Sequence, residues 1–261
     1  MTEHHRVMAV RTYNCAKSSH AILCLNHMND LGAALLQAVQ LLLARDPQLL
    51  QTAGLSVQVS LAASLLAAVV ALPAGALLAI ARFPGRKLLV VITNALMGLP
   101  AVVVGLLIYL LLSRAGPLGS HGLLFTPQAM VIAQAVLVFP ILTAFTRQAV
   151  EDAWREYAEQ LRSLGAGTLH GALTLLWDIR FSLLTILLAG FGRAISEVGA
   201  VMIVGGNIDG VTRVMTTSIA LETSKGDLPL ALAFGAILVA LVLLINATAY
   251  AVKETAQRRY G

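Results

Sequence analysis

Residues 54–80 read GLSVQVSLAASLLAAVVALPAGALLAI and carry no charge. About 20 apolar residues in a helix cross the hydrocarbon core of a bilayer, and this window exceeds that. Four further windows repeat the pattern. Residues 88–113, 128–146 and 229–252 are uncharged, and residues 181–204 hold only Arg193 and Glu197. Such windows are too long for strands and too apolar for amphipathic surface helices. Backbone within lipid must satisfy its own hydrogen bonds, so they are read as helices. Their frequent Ala and Gly permit close helix packing. Pro73, Pro100 and Pro140 fall inside the first three windows. Each removes a backbone donor and is either tolerated in a packed bundle or kinks its helix. The fold class expected is all-α: a polytopic membrane protein with five transmembrane helices.

Composition points the same way. Of 261 residues 58% are apolar and 12% charged, about half the charged share of a soluble domain. That excludes an ordinary cytosolic enzyme, and it excludes intrinsic disorder, which needs low hydrophobicity and high charge. The net charge of +5 comes from scattered Lys and Arg, with no basic stripe interleaved with aromatics, so nucleic acid is not an expected partner. Cys15 and Cys24 form no metal or redox motif and read as inert thiols.

Outside the five windows, residues 1–30 read as a disordered or non-native arm. Met28 offers a second possible start. Residues 31–44 (LGAALLQAVQLLLA) are apolar but short. They favour an interfacial helix, with residues 31–53 as helix plus connector, although a sixth, tilted span is the alternative. The transmembrane core is then 54–252, followed by a tail at 253–261.

Short-loop charges give the orientation. One side carries Arg82, Arg86, Lys87, Arg147, Arg155, Arg162, Arg180, Lys253, Arg258 and Arg259; the other carries Arg45, Arg114, Arg213 and Lys225. The richer side is placed in the cytoplasm. Five spans then put the N-terminus outside and the C-terminus inside.

Catalytic signatures are missing. No lysine among Lys17, Lys87, Lys225 and Lys253 follows a glycine, so there is no Walker-type phosphate loop, and HExxH and GxSxG are absent. The spans contain no Asp and no His. An enzyme is not expected, nor a metal site.

Residues 147–180 are the one large loop on the cytoplasmic side. Tyr157, Leu161 and Leu164 form an apolar stripe at helical spacing, and Leu169, Leu173 and Leu176 form another. Gly165 and Gly167 end the first helix and Thr168 is placed to cap the second. Two short amphipathic helices then make a hairpin, which either docks into a groove on a soluble partner or folds back on its own bundle.

The run EQLRSLGAG, Glu159 to Gly167, resembles the loop signature of ABC-transporter permease subunits. Glu159 takes the place of that family's Glu and Gly165 that of its Gly. Gln160 and Leu161 stand where two alanines are common, and Trp177-Asp178 where Leu-Pro is common. FGRAISEVGAVMIVGGN, Phe191 to Asn207, resembles the oxyanion branch of the family, the molybdate, tungstate and sulfate permeases. TRVMTTSIALETSKGD (212–227), MGLPAVVVGLLIYLLLSRAGPLG (97–119) and LLFTPQAM (123–130) are most similar to tungstate permeases.

The resemblance implies a binding-protein-dependent permease fold in a bacterial or archaeal plasma membrane. It implies a homodimer, two cytoplasmic ABC ATPase subunits that hold ATP and Mg, and an extracytoplasmic solute-binding protein. The chain itself would bind no cofactor. Glu159, Leu161, Leu164, Gly165, Leu169 and Leu173 would couple to the ATPase, and tungstate or molybdate would be the substrate. A stand-alone secondary carrier is the rival, but it would need coupling-ion residues that the spans lack.

Arg193 and Glu197 lie four apart on one helix face and can pair, either to fix packing or beside the translocation path. Ser196 lies between them. Gly205, Gly206 and Asn207 can present backbone N–H groups to an anion. Thr216 and Thr217 supply hydroxyls and Arg213 a charge. The same segment also reads as a hydrated connector or as a docking surface for the binding protein.

Overall fold

The computed structural model describes residues 36, 39, 40, 47–163, 165 and 167–260. The arm at 1–30, most of 31–44, and Leu164 lie outside the described residues. From Pro47 on, the described residues form nine α-helices: α1 (Pro47–Ile80), α2 (Arg86–Leu96), α3 (Ala101–Leu112), α4 (Pro127–Ser163), α5 (Thr168–Asp178), α6 (Arg180–Ile195), α7 (Gly199–Gly205), α8 (Met215–Lys225) and α9 (Leu228–Tyr260). No strand occurs among the described residues. Three helices, α1, α4 and α9, are long and apolar enough to cross a membrane, and the number rises to five if each bent pair is one span.

The windows become helices, with three departures from the expected layout. Residues 47–53 belong to α1, so 31–53 is not helix plus connector up to the first span. The 88–113 window is not one rod. It breaks at 97–100, and α2 and α3 meet at 100°. Pro100, in extended conformation, precedes α3, and the residue before a proline is pushed out of the helical region. Pro73 and Pro140 sit inside α1 and α4 without breaking them. The 181–204 window breaks at 196–198, between α6 and α7.

The core is the α1–α4 pair. Thr52, Ser56, Ser60, Ala63, Ala67, Ala71, Gly75 and Ala79 form one buried stripe of small residues along α1, which lets two backbones approach closely. At Gly75 a Cβ would stand 2.7 Å from the Thr143 carbonyl oxygen and 3.0 Å from the Arg147 nitrogen. Three layers stack along this pair. In the first, Val59 of α1 and Met130 and Leu137 of α4 pack on Val104 and Ile108 of α3 and Val201 of α7. In the second, Ala67 and Ala71 meet Val138 and Leu142 with Ile186 of α6. In the third, Ala76, Ala79 and Ile80 meet Val150 with Ala172 and Leu175 of α5. Apolar side chains such as Leu65, Val69, Leu106, Leu110, Leu243 and Leu244 are exposed around the outside, as lipid-facing surface requires.

α4 is one continuous helix of 37 residues, about 55 Å at 1.5 Å per residue. The first helix of the expected hairpin is therefore the far end of a span. The chain turns after Ser163, with Gly165 left-handed at φ +71°. Gly167, not Thr168, is the residue before α5, and Thr168 is already helical.

Candidate functional site

Two groups of polar residues and one surface make up the site, and the bundle places each separately. The first group lies at the break between α6 and α7. Arg193 closes the last turn of α6, where a cation is favoured by the helix dipole. Its Nη1 donates to Glu197 Oε2 at 2.6 Å. The Glu197 side chain is 5% exposed against 36% for Arg193. The second carboxylate oxygen, Oε1, accepts the backbone N–H of Ala200 at 3.1 Å, in the first turn of α7. Two ties hold the break from neighbouring helices, and a third closes it locally. Gln134 of α4 donates to the Ala194 carbonyl at 3.0 Å. Thr216 of α8 donates to the Glu197 carbonyl at 2.9 Å. Ser196 donates to the Arg193 carbonyl at 3.1 Å and is otherwise exposed.

The second group is the 206–214 turn, one short helix away. Thr212 is fully buried. It donates to the Gly205 carbonyl at 2.6 Å and accepts the Ile208 N–H at 2.9 Å, closing the turn. Gly206 and Asn207 are both left-handed, at φ +70° and +51°, but the Gly206 N–H is bonded to the Met202 carbonyl. Arg213 pairs with Asp209 at 2.9 Å, and Gln48 of α1 donates to the same carboxylate at 3.1 Å. Thr217 accepts the Val214 N–H and donates to the Val214 carbonyl, both at 3.0 Å. The hydroxyls of Thr216 and Thr217 are thus engaged within the protein. Ser56 of α1 accepts the Met215 N–H at 2.8 Å and anchors the start of α8.

The surface is the hairpin. α5 buries Ala172 and Leu175 against α1 and α4, and Leu161 packs against the same layer. Leu173 and Trp177, four apart, are 56% and 74% exposed. Glu159 and Gly165 are also exposed. Leu164 and the side chain of Leu169 lie outside the described residues. The inward face is therefore Ala172–Leu175, and the stripe expected through Leu169, Leu173 and Leu176 does not face the bundle at Leu173. Under the hairpin, Glu151 of α4 binds two arginines. Its Oε2 takes Arg147 Nη1 at 2.6 Å, and its Oε1 takes Arg86, which also donates to the Leu78 carbonyl at 2.7 Å. One carboxylate so joins the end of α1, the start of α2 and the body of α4.

Gln134, Ser56, Glu151 and Trp177 are absent from the residues expected from sequence. Gln134 and Ser56 were visible as the polar groups of uncharged spans, where an amide or hydroxyl needs a partner. Glu151 stands four residues from Arg147, a spacing the sequence offers, but its second arginine, Arg86, comes from another helix.

The described bundle thus combines membrane-length apolar helices, a buried ion pair at the α6–α7 break, a polar turn after α7 and a hairpin with exposed apolar side chains. Residues 71–260 match the family model described as "Binding-protein-dependent transport system inner membrane component", and the chain belongs to that family. It is 44% identical, over 83% of its length and 95% of the relative's, to the "Tungstate uptake system permease protein TupB" of Peptoclostridium acidaminophilum. It is 39% identical, over 82% and 94% of the two chains, to a "Probable anion ABC transporter permease protein" of Haloferax volcanii. More distantly, it is 29% identical to the "Molybdenum transport system permease protein ModB" of Escherichia coli, over 55% of this chain and 67% of the relative. The chain is a multi-pass integral membrane protein.

Proposed function

We propose that this chain is the membrane-spanning subunit of an ATP-driven importer for tungstate. The observation that carries the substrate is the 44% identity to a tungstate uptake permease over 95% of that relative. Two copies form the pathway. Two ATPase subunits hold ATP and Mg and seat on the hairpins, and an extracytoplasmic binding protein delivers the anion. The N-terminus lies outside and the C-terminus in the cytoplasm, which puts the hairpin and the Arg86–Glu151–Arg147 cluster on the cytoplasmic side. Leu173 and Trp177, exposed on α5 beside Glu159 and Gly165, supply the apolar contact for the ATPase. An exposed aromatic in a groove is the residue type that dominates such interfaces. ATP-driven movement of the ATPase pair enters at α5 and the end of α4 and reaches the α6–α7 break through the stacked layers. Gly205, Gly206, Asn207 and Arg213 form the outer rim of the path, and Arg193, Ser196, Glu197 and Thr216 its inner constriction.

ATP hydrolysis in proteoliposomes tests this reading. The vesicles contain this chain, its cognate ABC ATPase and the cognate binding protein. Stimulation by tungstate at far lower concentration than by molybdate or sulfate is expected. Equal stimulation by molybdate broadens the substrate and keeps the mechanism. An assembled complex that responds to no oxyanion refutes the assignment.

A further inference from the structure

We propose that Arg193 is the residue that takes hold of the anion within the membrane, and that Glu197 is the group that takes Arg193 back. This rests on the oxyanion reading above.

The argument starts from the cost of a charge at membrane depth. Arg193 and Glu197 are the only charges in the 181–204 window. A charged side chain at such depth pairs, or faces a water-filled cavity. Glu197 does the first, being buried with both oxygens bonded. Arg193 does both. It is paired, yet more than a third of its side chain is exposed. Among the described residues its guanidinium makes one hydrogen bond, through Nη1. A guanidinium has five N–H donors in a planar fork suited to oxyanions. The remaining donors are directed at no acceptor of the described protein, and the exposed face must meet water rather than lipid.

The pair is also built to separate on one side only. Without Arg193, the Glu197 carboxylate keeps the Ala200 N–H and the positive end of α7. The backbone of the break stays tied by Gln134 and Thr216, neither of which touches the guanidinium. Arg193, released, stays at the C-terminal end of α6, which favours a cation. Separation therefore leaves both helix ends satisfied and Oε1 bonded, and frees only Oε2, the oxygen that recaptures Arg193. A tetrahedral dianion offers Arg193 more charge and more acceptor oxygens than one carboxylate oxygen does. Glu197, too buried to coordinate the anion and of the same sign, competes for Arg193 and drives release. A site that transports needs such a competitor, since binding must be reversible.

Glu197→Gln, Arg193→Lys and the double variant Arg193→Gln/Glu197→Gln separate this from a packing role. The double variant replaces a charged pair by a neutral hydrogen-bonding one and so keeps the protein folded if the pair only holds helices together. The reconstituted complex is loaded with tungstate through its binding protein, and uptake is counted per assembled complex. Tungsten retained by the detergent-solubilised complex after gel filtration is measured by mass spectrometry. Expected are uptake lowered at least tenfold in the double variant and partly preserved in Arg193→Lys, with more tungsten retained by Glu197→Gln than by the wild type and least by the double variant. Uptake by the double variant within twofold of wild type overturns the proposal, as does equal retention in Glu197→Gln and the double variant. A wild-type complex that imports no tungstate refutes the functional reading instead.

Discussion

Gly75→Ala tests whether the α1–α4 contact sets the stability of the whole bundle. The added Cβ would stand 2.7 Å from the Thr143 carbonyl oxygen, 2.9 Å from Thr146 Cβ and 3.0 Å from the Arg147 nitrogen. Ordinary contact begins at 3.4 Å, so the two helices must part by several tenths of an ångström. Two of the three obstacles are backbone atoms, which cannot turn aside. Two effects oppose each other. Alanine in place of glycine within a helix gains about 1 kcal/mol of propensity. Overpacking a tight interface costs about 1–3 kcal/mol. The second wins here, because relief requires moving whole helices and strains Arg86, which ties the Leu78 carbonyl of α1 to Glu151 of α4. A net loss of about 1–2 kcal/mol is expected. Gly54→Ala is the control. It lies on the same helix and its Cβ meets nothing within 4 Å, so it should be neutral or stabilising. The assay is thermal unfolding of the purified protein in one detergent, at one scan rate, followed by the fluorescence of Trp154 and Trp177. If Gly75→Ala melts at or above the temperature of Gly54→Ala, the close-packed reading of this pair is wrong.

Three further outcomes are expected. Ser56→Ala leaves the Met215 N–H without its acceptor and should cost about 1–2 kcal/mol, with hydrogen exchange at the start of α8 rising before the rest of the protein. Gly165→Ala puts a side chain at φ +71° and should lose about 1 kcal/mol or more by strain alone. Gly167→Ala, at φ −70° with open space around it, should melt within a degree of wild type. Trp177→Ala combined with Leu173→Ala should leave the melting temperature nearly unchanged, because both are exposed, while weakening co-purification of the ATPase by about 2 kcal/mol or more; retention at wild-type strength would remove α5's outer face from the coupling surface.

The membrane windows were legible because length and lack of charge are one-dimensional properties. Their breaks were not. Pro73, Pro100 and Pro140 each delete a backbone donor, and only Pro100 ends a helix. The difference lies in the neighbours. α1 and α4 are held straight by each other along three layers. α2 buries no residue, so nothing carries a straight helix across residues 97–100. The continuity of α4 into the hairpin is readable in principle, since no Gly or Pro stands between Pro140 and Gly165; the change from apolar to charged residues marks where the helix leaves the membrane, not where it ends. In the candidate site the Arg193–Glu197 pair followed from i, i+4 spacing. The seat of Thr216 did not, because its partner, the Glu197 carbonyl, belongs to the break before α7 and only folding brings it near.

The unbroken course of α4 makes residue count a mechanical quantity. Gln134 grips the α6–α7 break and Glu151 grips the arginines under the hairpin, and both ride on the same rod. Each residue of a helix turns it by about 100° and advances it about 1.5 Å. Inserting or deleting one alanine between Phe145 and Val150 would rotate one grip by more than a quarter turn relative to the other. Every side chain at either end would keep its identity, yet the two ends would no longer be in phase. Between those two positions the number of residues is as much a part of the structure as their identity.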